Sequence, residues 1–159
     1  MANTYAFPDF DATYVGPAGT YDLSSYGVAA DGITIAFAED AAAPVMGANG
    51  DGMYNLRAAR HGIITIRAFK VALLNAVMSR IFTFETSDSS NYGQALLTCR
   101  NAKTGDLFVC RDVGIRKFPD NGNGVEGAAN EWAFNSLRII PTLGDGNPDL
   151  SRSGLPALG

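Results

Sequence analysis

Glycine preceded by Asn, Asp or Thr recurs along this chain, and that punctuation limits what it can fold into more than any other feature. Asp31-Gly32, Asn49-Gly50, Asp51-Gly52, Thr104-Gly105, Asn121-Gly122, Asn123-Gly124 and Asp145-Gly146, together with Gly16-Pro17, mark turns throughout. Such pairs tolerate the positive φ that tight hairpin connections require. Between them lie short runs that alternate with period two. The clearest is Ile33-Thr34-Ile35-Ala36-Phe37-Ala38, where Ile33, Ile35 and Phe37 fall on one face; this is the pattern of a half-buried strand. Further strands are expected at 11–15, 21–23, 45–48, 53–57, 63–69, 96–100, 107–115 and 132–139. The expected fold is mainly β, a β-sandwich or barrel of two packed antiparallel sheets.

One segment departs from that period. Over residues 71–85, Leu73, Leu74, Val77, Met78, Ile81 and Phe82 recur at three- and four-residue intervals, which predicts a flanking α-helix with an apolar stripe turned to a sheet or plugging the open end of the sandwich. Its polar face would carry Asn75, Ser79 and Arg80, and the run Ser87-Asp88-Ser89-Ser90-Asn91 with Gly93 would end it. Residues 1–141 are expected to form a single β domain, without internal repeat, and 142–159 a Gly/Pro-rich C-terminal tail. Leu150, Leu155 and Leu158 in that tail fit either docking on a neighbouring subunit or an idle extension. The Gly/Asn-rich stretch 121–130 reads as a loop.

Charge narrows the function classes. Among 159 residues, 12 Lys+Arg stand against 16 Asp+Glu, a formal net charge of −4; tight binding to phosphate backbones or anionic lipid needs the opposite sign. No apolar run approaches the roughly 20 residues that span a bilayer. The first residues, Met1 to Pro8, have neither the basic nor the apolar region of a secretory signal, so a chain retained in a cytoplasm is expected.

The chemical constellations are thin. With a two-residue turn at Thr104-Gly105, Cys99 would lie opposite Cys110; two buried free thiols are expected rather than a bridge. His61 is the single histidine, and it precedes Gly62 as a turn residue; a structural zinc site needs four ligands of its kind. Gly122-Asn123-Gly124-Val125-Glu126-Gly127 matches the dinucleotide pattern G-x-G-x-x-G, but Asn130-Glu131-Trp132-Ala133-Phe134 after it alternates like a strand and offers no helix N-terminus to a pyrophosphate. The same loop lacks the ligands of a calcium-binding EF-hand. Glu39, Asp40, Glu85 and Asp88 would serve as acid and base only if the fold paired two of them, and they read instead as solvated carboxylates. The expectation is no enzyme, no cofactor and no metal.

Gly32-Ile33-Thr34-Ile35 followed by Glu39-Asp40, then Met46-Gly47-Ala48-Asn49-Gly50-Asp51-Gly52-Met53, then Arg60-His61-Gly62-Ile63-Ile64-Thr65-Ile66-Arg67 together resemble the tail tube proteins of contractile-tailed bacteriophages. The helix at 73–82, the Ser89-Ser90-Asn91-Tyr92-Gly93-Gln94 loop, the Gly105-Asp106 hairpin and Asn130-Glu131-Trp132-Ala133-Phe134 continue the likeness in order, over residues 2–143.

The resemblance implies a structural virion protein in which rings, six copies each, stack into the inner tail tube that conducts DNA inside a contractile sheath. It implies partners: other copies of the chain, the sheath, tape-measure, baseplate and tail-terminator proteins, and phage DNA that passes without specific binding; no membrane is involved. Assembly in the bacterial host cytoplasm and residence in the virion follow. Within that picture the strands at 33–39, 45–48, 53–57 and 63–69 would build the tube wall. Met46, Met53, Tyr54 and Leu56 are the candidates for subunit interfaces, with the N-terminal arm, and Glu39, Asp40 and Asp51 for the lumen. The alternatives are the tube of a phage-derived bacteriocin or secretion machine, a capsid-decorating protein, and a glycan-binding β-sandwich module that stacks sugars on Tyr21, Tyr26 and Tyr92.

Overall fold

The structure, a computed structural model, describes residues 5–6, 10–25, 28–125 and 129–144. Nine strands and one helix follow in chain order: β1 (Phe10–Gly16), β2 (Gly19–Asp22), a short 3-10 helix (Leu23–Ser25), β3 (Val28–Phe37), β4 (Ala42–Met46), β5 (Gly52–Leu56), β6 (Gly62–Ala68), α1 (Leu73–Ser87), β7 (Ala95–Asn101), β8 (Asp106–Lys117) and β9 (Asn130–Thr142). Seven strands form one antiparallel sheet in the order β2-β1-β7-β8-β9-β6-β3, while β4 and β5 form a separate two-stranded ribbon. The fold is mainly β with two antiparallel sheets and one helix. The sheets are unequal, and among the described residues the larger one stays open, with β2 and β3 at its edges.

The period-two alternation does what it promises along the large sheet. In β6, Ile64, Ile66 and Ala68 point inward, and in β7 Ala95, Leu97 and Cys99 do the same. Against this face α1 lays Leu74, Val77, Met78 and Ile81, all buried. Leu73 is a correction to the expected stripe: it lies one residue, about 100° of helical rotation, round from Leu74 and is 63% exposed. Asn75 departs from its expected solvent face as well. Its Oδ1 accepts from Trp132 Nε1 at 3.0 Å and Asn130 Nδ2 at 3.2 Å, and its Nδ2 donates to the carbonyls of Phe69 at 2.8 Å and Lys70 at 3.0 Å. A buried indole N–H needs such an acceptor.

The β7–β8 hairpin corrects the cysteine register. Asn101 pairs with Asp106, so four residues rather than two make the turn, and Cys99 faces Phe108 while Cys110 faces Leu97. The cause is the Asn101 side chain, whose Oδ1 accepts from the N–H groups of Lys103 at 3.0 Å and Thr104 at 3.2 Å and so mimics a backbone turn. Gly105, at φ 82°, closes it with an N–H donated to the Asn101 carbonyl at 2.9 Å. The slip is two residues, which keeps both thiols on the core face. Both are free and buried, and burial pushes the Cys99 thiol up to about 12 and Cys110 to about 11.

Glu85 is a second correction, because this carboxylate is not solvated but fully buried on the inner side of α1. β7 begins at Ala95 opposite Val113, so β8 runs on past it, and Ile115 takes side-chain partners instead. Glu85 Oε2 accepts the Ile115 N–H at 3.0 Å, and Tyr92 donates its hydroxyl to the Ile115 carbonyl at 2.7 Å. The other oxygen, Oε1, accepts from the Tyr14 hydroxyl of β1 at 2.5 Å. Burial raises the Glu85 pKa and outweighs these two hydrogen bonds, which lower it.

Two outcomes follow for stability. Tyr14→Phe leaves a buried carboxylate oxygen without its donor and is expected to cost about 1–3 kcal/mol in urea unfolding. The raised Glu85 pKa means that the folded chain holds this proton more tightly than the unfolded chain. Its contribution is therefore full below the ordinary carboxylate range and is lost as pH rises through the folded value. Glu85→Gln keeps a donor and an acceptor there but cannot titrate, so wild type should gain stability relative to it as pH falls from neutral, a trend read from paired unfolding curves.

Candidate assembly surface

All four interface candidates lie on the ribbon. Its register sets Ala42 opposite Leu56, Ala43 opposite Asn55, Pro44 opposite Tyr54, Val45 opposite Met53 and Met46 opposite Gly52. Opposed residues of an antiparallel pair share a face. One face therefore carries Leu56, Tyr54, Pro44 and Met46, and the other Val45, Met53, Ala43 and the polar Asn55. Met46 is 65%, Met53 60%, Tyr54 79% and Leu56 78% exposed. A two-stranded ribbon is marginal on its own in water, and this one is apolar on both faces. Its apolar side chains stand in solvent among the described residues.

The turn of the ribbon is built by its polar residues. Gly50, at φ 93°, reverses the chain; the Asn49 Oδ1 accepts the Asp51 N–H at 3.2 Å, and Asn49 Nδ2 donates to the Asp51 carboxylate at 2.8 Å. The Gly47 N–H donates to the Asp51 carbonyl at 2.6 Å. At the other end the ribbon is tied to the large sheet: the Arg57 N–H donates to the Ala41 carbonyl, the Ala38 N–H to that of His61, and the Ile139 N–H to that of Arg60. The three lumen candidates are thereby divided. Glu39, 3.9 Å from the Arg57 guanidinium, and Asp40 stand at the foot, whereas Asp51 stands at the tip.

The foot also gathers cations that spacing along the chain did not bring together. Arg111 of β8 lies directly opposite Arg138 of β9, and the backbone of Arg60 forms an isolated parallel bridge with that of Arg138. Both strands expose two successive residues here, Arg111-Asp112 and Leu137-Arg138, at a step where Asp112 takes φ 53°. No sequence signal announces a left-handed aspartate inside a strand, so the cluster was not legible beforehand.

The other constellations do not converge. Among the described residues no group of three His, Cys, Asp or Glu side chains is placed to hold a metal ion. Glu39, Glu85 and Asp88 have separate partners, Asp88 being exposed and accepting the Ser90 N–H at 3.0 Å. Gly122 to Gly124 belong to no helix or strand, with Lys70 Nζ donating to the Gly122 carbonyl and to Asn123 Oδ1; Glu126 and Gly127 lie outside the described residues. The three tyrosines named for sugar stacking are placed as follows. Tyr21 is half-buried and donates to the Ala18 carbonyl at 3.0 Å, Tyr92 is committed to Ile115, and Tyr26 lies outside the described residues. The N-terminal arm, apart from residues 5–6, and the tail from 145 onward also lie outside them. No helix among the described residues is long and apolar enough to cross a membrane.

Comparison with known proteins adds a family. The family described as bacteriophage PhiTE tail tube protein matches residues 1–144. No curated protein matches in sequence. The tube-terminating cap of the anti-feeding prophage, solved by cryo-electron microscopy, shares the fold at TM-score 0.52 and 12% identity, over 90% of this chain and 95% of that one. The sheath/tube terminator of the PVC extracellular contractile injection system in its extended state does so at TM-score 0.52 and 14% identity, over 89% of this chain and 99% of that one. At such identity the likeness is one of fold.

Because the ribbon contributes nothing to the core, Met46→Asp and Leu56→Asp should each change the unfolding free energy of the isolated chain by less than about 0.5 kcal/mol. Thermal and urea unfolding below the concentration of self-association checks this.

Proposed function

This chain belongs to the bacteriophage PhiTE tail tube protein family, and from that premise we propose that it polymerises as stacked hexameric rings into the inner tail tube, the conduit for DNA ejection inside a contractile sheath. Its role is structural rather than enzymatic, within the virion tail. The observation that carries the proposal is the ribbon, which exposes apolar side chains on both faces and is covered by nothing among the described residues. Two faces call for two neighbours, or for a neighbour that wraps the ribbon. The open edges at β2 and β3 support the same reading, since unpaired strand edges are satisfied when subunits close a ring.

In this reading Met46, Met53, Tyr54 and Leu56 are interface residues. The lumen assignment is kept for Glu39 and Asp40 at the ribbon's foot, while Asp51 at the tip goes with the ribbon into the neighbour. A net charge of −4 suits a conduit that lets DNA slide. The partners proposed are further copies of the chain and the sheath, tape-measure, baseplate and terminator proteins, with assembly in the host cytoplasm and 142–159 as a tail beyond the β domain. A second reading, the tube of a phage-derived bacteriocin or secretion machine, draws support from the fold shared with contractile injection systems; neighbouring genes for DNA packaging would decide against it.

Negative-stain electron microscopy over a concentration series, paired with light scattering, is the test. Hollow tubes of uniform width and a smallest closed species of six chains are expected from wild type, and folded monomers from Met46→Asp and Leu56→Asp. Normal tubes from those variants would remove the ribbon from the interface, and a wild-type chain that stays monomeric would overturn the proposal.

A further inference from the structure

A ribbon that enters a neighbour needs a receiving site, and the cationic cluster at the foot has the chemistry for one. Like charges directly opposite on adjacent strands repel, yet Arg111 and Arg138 hold that position. Among the described residues neither makes an ion pair, and Asp112 beside them makes none. Arg60 spends its Nη1 on the carbonyls of Arg57 at 2.7 Å and Ala59 at 2.8 Å. A cleft of about 360 Å³ opens here, lined by Ala58, Ala59, Arg60, His61, Leu137 and Arg138. Leu137 is 70% exposed. The site therefore presents three arginines that make no ion pair among the described residues, with Asp112 next to Arg111, beside an exposed leucine side chain.

The ribbon presents the complement. From residue 41 to 56 the single charged side chain is Asp51, at the tip, flanked by apolar Met46 and Met53. Its carboxylate is engaged by Asn49 and otherwise faces solvent. Five paired residues at about 3.3 Å each hold the tip roughly 15 Å from the foot, so Asp51 cannot fold back onto the arginines of its own chain.

We propose that Asp51 at the ribbon tip of one copy seats in the Arg60, Arg111 and Arg138 cluster of the next copy, with Leu137 receiving the apolar side chains beside it. This rests on the reading of the chain as a self-assembling tube subunit and names the contact that joins its copies. Donor and acceptor are different patches at opposite ends of one ribbon, so the contact is heterologous. Repetition of such a contact builds rings or stacks rather than a closed two-fold pair.

A charge swap tests it, read by sedimentation velocity and electron microscopy on wild type, Arg138→Glu, Asp51→Arg and the double variant. Each single reversal is expected to raise the concentration for half-assembly by about tenfold or more, and the double variant to return to within about threefold of wild type. All should keep the wild-type thermal midpoint; should Arg138→Glu lose the fold, Arg111→Glu takes its place. Single variants that assemble like wild type, or a double variant no better than either single one, overturn this contact and leave the tube reading standing. A wild-type chain monomeric at every concentration overturns both.

Discussion

The carboxylate of Glu85 holds the layers of this protein together. It hangs from α1, takes a hydroxyl proton from Tyr14 on β1 and the N–H of Ile115 on β8, and so clamps two strands that flank β7. The need for it comes from an unequal sheet. β8 outruns β7, and a buried N–H and C=O beyond the shorter strand must find partners elsewhere; Glu85 and Tyr92, from the helix and the connection after it, supply both. A carboxylate near a helix C-terminus is electrostatically disfavoured, and its burial raises its pKa. It persists there because removing either partner would strand a buried polar group at larger cost.

That clamp lets one sheet and one helix make a sufficient core. Trp132, Phe134, Tyr14, Ile64 and Leu97 are fully or almost fully buried against Leu74, Met78 and Ile81 without help from the ribbon. The apolar side chains of β4 and β5 are therefore surplus to the fold of the monomer. In a chain with 47% apolar residues, a surplus concentrated on one projecting hairpin marks the surface that self-association would use. Exposed apolar residues scattered singly would carry no such meaning.

Electrostatics is arranged in the same way, globally mild and locally polarised. A formal charge of −4 is spread over a chain in which Arg67 and Glu131 pair across strands at 3.1 Å and Lys117 and Asp120 at 3.4 Å. Against that background the opposed Arg111 and Arg138 stand out because neither makes an ion pair among the described residues. Exposed pairs of the first kind are worth little to stability, while charge complementarity across an interface acts on orientation and encounter rate.

Much of the architecture could be read from the residues. Alternation located the strands of the large sheet because they have one face to bury, the three- and four-residue spacing located the helix, and Asn49-Gly50 marked the ribbon turn at the positive φ of Gly50. The same reading put Met46, Met53, Tyr54 and Leu56 on neighbouring strands, since hairpin pairing is local. Tertiary structure decided what depends on distant partners. Asn101 reset the hairpin register through its side chain, Glu85 went into the core and Asn75 to a half-buried position because Tyr14, Ile115 and Trp132 needed acceptors, and Leu73 went to solvent for want of 100° of rotation. Whether the ribbon joined the large sheet or stood away from it, and whether three arginines spread over 79 positions met at its foot, followed from how the strands were ordered. Local periodicity records which way a residue faces; strand order is set by contacts between segments far apart in the chain, and these leave no local pattern.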